Sequence, residues 1–169
     1  MNPMREIRIE KVTLNMGVGG DQGKLEKSMK LLEAITGAKP VKTSSKKRIP
    51  GWGVRPGLAI ACKVNIRGEK AQIVLKKLFE ALDFKISPRR FDNVGNFGFG
   101  IHEYINIEGV PYDPELGIVG LEVAVTLERP GYRVKKRALR PAKVGKTHKI
   151  TKEEAIEFVK EKFKVEVEE

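Results

Sequence analysis

The stretch that decides the fold class is LAIACKVNIR, at residues 58–67. Apolar side chains occupy every second position from Leu58 to Ile66, which is the period of a strand with one buried face. Residues 69–82 follow and carry apolar side chains at helical spacing, namely Ala71, Val74, Leu75, Leu78, Phe79 and Leu82. An alternating strand that leads into an amphipathic helix predicts a sheet with helices packed on one face.

Two other segments extend the predicted sheet. Residues 119–127 alternate in the same way and end at a Pro-Gly turn signal, residues 130–131, which predicts a hairpin into the segment that follows. The N-terminal segment, residues 7–18, also alternates, but its phase slips at residues 10–11. A slip of this kind predicts a β-bulge.

Two further helices are predicted from their end signals. Residues 23–35 have helical spacing and stop before Gly37, a residue suited to a left-handed C-cap. Residues 151–163 begin with Thr151 and Glu154, which have the spacing of a capping box.

Together these elements predict a single α+β domain over residues 1–169. Its sheet is expected to be largely antiparallel or mixed, with about five strands and helices packed on one face. The opposite face is expected to be uncovered, basic and RNA-binding. Side chains that donate to phosphate and sugar oxygens fall on the polar phase of its strands, namely Thr13, Asn15, Lys63, Asn65 and Arg67.

The charge distribution indicates a polyanionic partner. Thirty-three Lys and Arg residues against 22 Asp and Glu give a net charge of +11. Eight bases and no acid lie between Glu33 and Glu69, and ten bases and no acid lie between Glu128 and Glu153. A solvated surface would mix the two signs, so nucleic acid is favoured. A membrane partner is disfavoured because these stretches lack an amphipathic helical pattern, and without a signal-peptide pattern we expect a cytoplasmic protein.

The first basic stretch contains SSKKRIPGWGVRPG, residues 44–57, whose glycines and prolines predict a loop. Positive charge there would attract RNA, and Trp52 would pack on a base or sugar. The alternative is that Trp52 folds back and anchors the loop on its own domain.

A glycine-rich turn at residues 17–24 raises the alternative of a nucleotide-dependent enzyme. The match to a P-loop fails at Val18 and Leu25, where glycine and Ser or Thr are required. We therefore predict a simple turn between strand and helix, whose free amides could contact an RNA phosphate. His102 and His148 have no metal-ligand pattern around them, and His148 is expected to face RNA.

Five short motifs occur in one order along the chain: NPMRE at 2–6, NMGVG at 15–19, NVGNFGFG at 93–100, YDP at 112–114 and RPG at 129–131. In these motifs the sequence resembles the ribosomal L5 family of the large subunit, in its archaeal and eukaryotic branch. The likeness covers essentially the whole chain. The chain lacks the N-terminal helical extension of bacterial members and adds a basic extension at residues 129–149, so bacterial contacts cannot be transferred there.

The resemblance implies a structural protein that binds 5S rRNA in the central protuberance. It also implies contacts with large-subunit rRNA, P-site tRNA and neighbouring ribosomal proteins, including a small-subunit bridge partner. No catalytic residue, cofactor or metal site is predicted. The implied 5S rRNA-binding residues are Thr13, Asn15, Gly17, Lys42, Lys63, Asn65 and Arg67. The implied tRNA-binding residues of loop 44–57 are Lys46, Lys47, Arg48, Trp52 and Arg55. Further rRNA contacts are expected from Arg133, Lys135, Lys136, Arg137, Arg140, Lys143 and Lys146.

Overall fold

The alternating segments of the sequence form the strands of one main sheet. A computed structural model describes residues 2–110, 112, 114 and 116–167. In chain order the strands are β1 (Arg8–Gly17), β2 (Val41–Ser44), β3 (Ala59–Ile66), β4 (Lys85–Ile86), β5 (Phe97–Ile101), β6 (Leu121–Glu128) and β7 (Glu166–Val167). The helices are α1 (Gln22–Thr36), α2 (Glu69–Glu80), α3 (Arg133–Lys136) and α4 (Lys152–Phe163).

Five of these strands pair antiparallel in the order β2-β3-β1-β6-β5. The two short strands β4 and β7 pair parallel and separately from this sheet. Helix α1 packs on β3, and α2 packs on β1, so both cover the same face. The predicted α+β class with helices on one face is confirmed.

The core lies between the sheet and the helices because the apolar phase of each strand points there. Val12, Leu14 and Met16 of β1 are fully buried. Phe79 of α2 is stacked on Phe99 with ring centroids 5.5 Å apart. Because apolar side chains account for most of the buried set, this interface is the main source of stability.

Local signals in the sequence are reproduced at several positions. The register of β1 against β6 shifts between Ile9 and Lys11, which confirms the bulge. Gly37 adopts a left-handed conformation with φ 62°, and Thr151 forms the capping box with Glu154. Cys62 is buried in the core, and its burial raises the pKa of the thiol to about 11.

The hairpin predicted after residues 130–131 is wrong. The chain turns there into the short helix α3, and no strand follows it within the described residues up to α4. Both edges of β6 are already paired, one with β1 and the other with β5. A hairpin partner would therefore have no free hydrogen-bonding edge to join.

None of the helices in the described part of the chain is long and apolar enough to cross a membrane.

Candidate nucleic-acid interface

The face of the main sheet opposite α1 and α2, here called the open face, carries the polar phase of β1 and β3. Asn15 lies opposite Lys63 in the antiparallel register, and Thr13 lies opposite Asn65. The Thr13 hydroxyl donates to Asn65 Oδ1 at 2.8 Å. Directly opposed residues are close neighbours, so the fold brings these four predicted residues into one patch. Arg67 follows β3 on the same phase and is exposed.

An acidic residue that the sequence reasoning missed borders this patch. Glu122 of β6 lies opposite Asn15, whose Nδ2 donates to Glu122 Oε2 at 2.9 Å. This bond orients the Asn15 amide, but it also places a carboxylate on the open face. The face is consequently more positive along β3, where Lys63 and Arg67 lie, than along β6.

The β5 edge of the open face has almost no side chains. Gly98 and Gly100 occupy its outward positions, and Arg90 lines a shallow concavity beside them and Asn15. A Cβ on Gly98 would lie 3.2 Å from the Val123 carbonyl oxygen. Sequence reasoning missed this surface. Glycines at alternate positions of a strand could have indicated it, because they leave one face without side chains and let another backbone approach the strand closely.

Lys42 is not part of the open face. It lies opposite Cys62, whose side chain is in the core, so Lys42 belongs to the helix side of β2. Its Nζ is 3.9 Å from Glu26 Oε1 of α1. Val41 occupies the open face instead, because it lies opposite Lys63. The grouping of Lys42 with the other predicted 5S rRNA residues therefore does not match the geometry.

Loop 44–57 is held by hydrogen bonds of its own backbone. Ile49 and Val54 exchange two backbone bonds, of 2.9 and 3.2 Å, and the Val54 side chain is only 6% exposed. Trp52 lies in the short turn between them and is 77% exposed. The alternative that Trp52 anchors the loop on its own domain is wrong, because the buried side chain of the loop is that of Val54. The cationic side chains of the loop are exposed, namely Lys46, Lys47, Arg48 and Arg55.

The glycine-rich turn at 17–24 does not form a phosphate cradle. The Asp21 carboxylate caps α1 and accepts hydrogen bonds from the Gly23 and Lys24 amides, at 2.9 and 3.2 Å. A negative charge already occupies the helix N-terminus, so a phosphate there would be repelled. For the Gly23 and Lys24 amides, the prediction that they are free for RNA is wrong. Gly17 lies at the exposed end of β1, opposite Ala61.

The basic extension 129–149 is anchored by its first residue, an arginine. Arg129 is only 5% exposed, and its Nη2 donates to Glu154 Oε1 at 2.8 Å. Its Nη1 donates to the carbonyl oxygens of His148 and Lys149. The His148 ring contacts the Pro130 carbonyl oxygen at 2.9 Å, so the imidazole is bonded within the fold, contrary to the expectation that it faces RNA.

Lys136 is a second internal anchor of the extension. Its Nζ lies 2.7 Å from Glu10 Oε1 and 2.9 Å from Glu128 Oε2. Partial burial alone would lower the pKa of Lys136, but the hydrogen bonds and charges of the two glutamates outweigh it and raise that pKa above its ordinary value. Its charge is therefore balanced by two carboxylates of the same chain, although the side chain is 46% exposed. The other predicted contacts of the extension are exposed, namely Arg133, Lys135, Arg137, Arg140, Lys143 and Lys146.

The motifs behind the resemblance are largely structural. In NVGNFGFG, Val94 and Asn96 donate their backbone amides to Asp92 Oδ1, which closes the turn before β5. Asn2 caps the first turn by accepting from the Met4 amide. Of the YDP motif, Asp113 lies outside the described residues.

Comparison with known proteins agrees with this architecture. The family model described as "Ribosomal protein L5" matches residues 2–55, and the model of the C-terminus of the same ribosomal family matches residues 59–161. The chain belongs to the ribosomal L5 family. Members of this family are structural, non-enzymatic constituents of the large ribosomal subunit, so the alternative of a nucleotide-dependent enzyme is not supported.

The archaeal relatives of this L5 family member match it along nearly its whole length. The large ribosomal subunit protein uL5 of Nanoarchaeum equitans is 56% identical over 167 residues, which is 98% of each chain. The uL5 protein of Sulfurisphaera tokodaii is 47% identical over 99% of this chain and 95% of its own. That of Methanosphaera stadtmanae is 45% identical over 99% of this chain and 100% of its own. The predicted archaeal type is thereby confirmed.

Proposed function

We propose that this L5 family member binds 5S rRNA through the open face, and that the RNA backbone follows β3. The observation that supports this most is the uncovered patch in which Asn15 opposes Lys63 and Thr13 opposes Asn65. Amide, hydroxyl and ammonium groups in one patch match the oxygens of a phosphate and sugar backbone. Glu122 limits this path on the β6 side, because a carboxylate repels phosphate.

Loop 44–57 is proposed as a separate contact with P-site tRNA. The loop precedes the first residue of β3, whereas Arg67 follows its last residue. At a strand rise of roughly 3.3 Å per residue, the length of β3 that lies between the two is on the order of 23 Å. An exposed Trp52 flanked by exposed Lys and Arg side chains suits stacking on a sugar or nucleobase.

The basic extension is proposed to contact large-subunit rRNA through its exposed cations. Neighbouring ribosomal proteins, including a small-subunit bridge partner, would meet the exposed apolar side chains Tyr112 and Ile118.

The first experiment compares two variants that each lose one positive charge. Arg67→Ala removes a cation from the open face, and Lys76→Ala removes an exposed cation from α2 on the covered face. Arg67→Ala should weaken the 5S rRNA complex and reduce its salt slope by about 0.7 to 0.9, as expected for one phosphate contact. Lys76→Ala should change neither. Equal effects of the two variants would indicate nonspecific RNA coating, as would unlabelled competitor RNA that displaces 5S rRNA as well as unlabelled 5S does.

The second experiment separates the loop from the open face. Replacing Lys46, Lys47 and Arg48 by serine should leave isolated 5S rRNA binding nearly unchanged, because these residues are distant from the patch. Occupancy of P-site tRNA in reconstituted ribosomes should fall instead. If the triple variant loses 5S rRNA as strongly as an Asn65→Ala, Arg67→Ala variant and keeps tRNA occupancy, the loop is part of the 5S surface.

A further inference from the structure

A cleft lies beneath the basic extension, away from the patch on the open face. It has a volume of about 470 Å³, within the ~300–1,000 Å³ range of small-ligand sites. We call it the extension cleft. One wall comes from the sheet and the turn before β5, with Val94, Asn96 and Thr126, and the other comes from the extension, with Tyr132, Ala142 and Val144.

The walls of the extension cleft are held in place by bonds that the sequence does not suggest. The Tyr132 hydroxyl donates to the His148 carbonyl oxygen at 3.2 Å and accepts from the Ile150 amide at 3.1 Å. The Ala142 amide donates to the Val134 carbonyl oxygen at 3.1 Å, which closes the extension back on itself. A cleft with fixed walls loses little conformational entropy when it is filled.

The chemistry of the cleft is apolar inside and cationic at the rim. Lys135, Lys143 and Lys149 line it and form no ion pair with any residue that the structure describes. Among the described residues that line it, the one acid is Glu10, which is already paired with Lys136. A ligand that suits this arrangement has a flat, largely apolar body and a negative charge beside it.

Two residues that line the cleft, Asn96 and Thr126, each have a polar side-chain atom that is not already bonded within the described part of the chain. The Asn96 Nδ2 donates to Asp92 Oδ2 at 2.9 Å, which turns Asn96 Oδ1 to the other side of the amide. Among the described residues, neither Asn96 Oδ1 nor the Thr126 hydroxyl has a hydrogen-bond partner. An acceptor and a hydroxyl are the groups that bind the edge of a nucleobase.

We propose that the extension cleft receives one unpaired nucleotide of rRNA, with its base between the two walls and its phosphate against the rim lysines. The proposal rests on the proposed contact of the extension with rRNA and gives that contact a specific form. A base displaced from its strand offers both the flat apolar body and the adjacent negative charge, and unpaired bases are what proteins recognise in RNA. Thr126 is four residues from Glu122 along β6, roughly 13 Å, so the cleft is separate from the Asn15 patch.

The test fills the cleft with an indole and probes the RNA bases. Ala142→Trp and Val94→Trp each add a ring from a different wall, and both positions are exposed, Val94 by 50%. Ala142→Ser controls for the loss of alanine, and Leu139→Trp adds the same ring to the extension at an 85% exposed position that does not line the cleft. Large subunits reconstituted with each full-length variant are treated with dimethyl sulfate, and modified bases are mapped on 5S and large-subunit rRNA.

The expected result is one unpaired RNA base that is protected from dimethyl sulfate by the unsubstituted protein and by the two control variants. The same base should lose its protection in subunits that carry Ala142→Trp or Val94→Trp. The RNA on which it lies identifies the source, and fillers weaken the isolated 5S rRNA complex only if the base belongs to 5S rRNA. Identical protection with all variants overturns the proposal. Loss of a neighbouring protein from the subunit, detected by mass spectrometry without any change in base reactivity, also overturns it and assigns the cleft to that protein. Failure of the open-face proposal would appear separately, as unchanged 5S rRNA affinity in Arg67→Ala.

Discussion

Arg129→Ala should destabilise the protein although it lies in a basic stretch that looks like surface. The guanidinium joins the end of β6 to α4 through Glu154, and to the chain before α4 through the carbonyl oxygens of His148 and Lys149. Its removal leaves a carboxylate and two carbonyl oxygens without their donor. The extension would lose its attachment to the helix that follows it.

The magnitude follows from how buried each partner is. Breaking a buried ion pair by removing one member costs roughly 3 to 5 kcal/mol. The Arg129 side chain is 5% exposed, but Glu154 is 38% exposed and retains water when it is left alone. We therefore expect the lower end, about 3 kcal/mol, which for a chain of this size corresponds to a fall in Tm of roughly 6 to 12 °C.

The loss of unfolding free energy caused by Arg129→Ala should depend on pH with a defined sign. Partial burial would raise the pKa of Glu154, but its bonds to the Thr151 amide and to Arg129 outweigh that and lower the pKa below the ordinary 4.5. A carboxylate with a lowered pKa stabilises the fold above its unfolded pKa and loses that contribution as pH falls through the folded pKa. The difference in free energy of unfolding between the unsubstituted protein and Arg129→Ala should therefore be largest above pH 4.5 and shrink on further acidification.

The assay is urea unfolding at neutral pH and at several acidic values. Arg133→Ala is the matched control, since Arg133 is an exposed arginine four residues along the same extension. It should change the free energy of unfolding by less than about 0.5 kcal/mol. The reasoning is refuted if Arg129→Ala costs no more than this control, or if its cost does not change between neutral and acidic pH.

Two other predictions concern the turn before β5 and loop 44–57, and unfolding in urea measures both. Gly95→Ala should cost more than about 2 kcal/mol, because φ is +82° and the new Cβ would lie 2.5 Å from Ile150 Cγ2. Gly109→Ala has the same φ with no atom within 4 Å, so it should show the backbone cost alone, about 1 kcal/mol; equal losses would remove the steric argument. Val54→Ala should cost about 2 kcal/mol, whereas Trp52→Ala should change stability by less than about 0.5 kcal/mol; the reverse order would mean that Trp52 holds the loop.

Part of the candidate interface was predictable because it depends on a local period. Side chains alternate between the two faces of a strand, so the apolar residues of β1 and β3 indicate that Thr13, Asn15, Lys63 and Asn65 share the other face. The bulge at residues 10–11 was visible for the same reason, as a break in that period. Both inferences need only neighbours in sequence.

Other parts of the interface depend on which strands pair and in which register. Glu122 reaches Asn15 across 107 residues because β6 lies beside β1. Lys42 belongs to the helix side because β2 pairs with β3 in a register that sets it opposite Cys62. A strand as short as β2 shows too few alternations to indicate its own buried face.

By itself the sequence determined the class of fold, which residues of β1 and β3 lie on the polar face, and the basic character of the surface that meets a partner. Periodicity and charge can be read from neighbouring residues, so these features need no tertiary structure. The family resemblance was also readable there, in motifs such as the NVGNFGFG turn at 93–100. Only the tertiary structure decided which cations are available. Arg129 and Lys136 look like their neighbours in sequence, yet one is buried against Glu154 and the other is paired with Glu10 and Glu128. The charge that a side chain offers to a partner depends on the acids that folding brings to it, and those acids come from other elements of the chain.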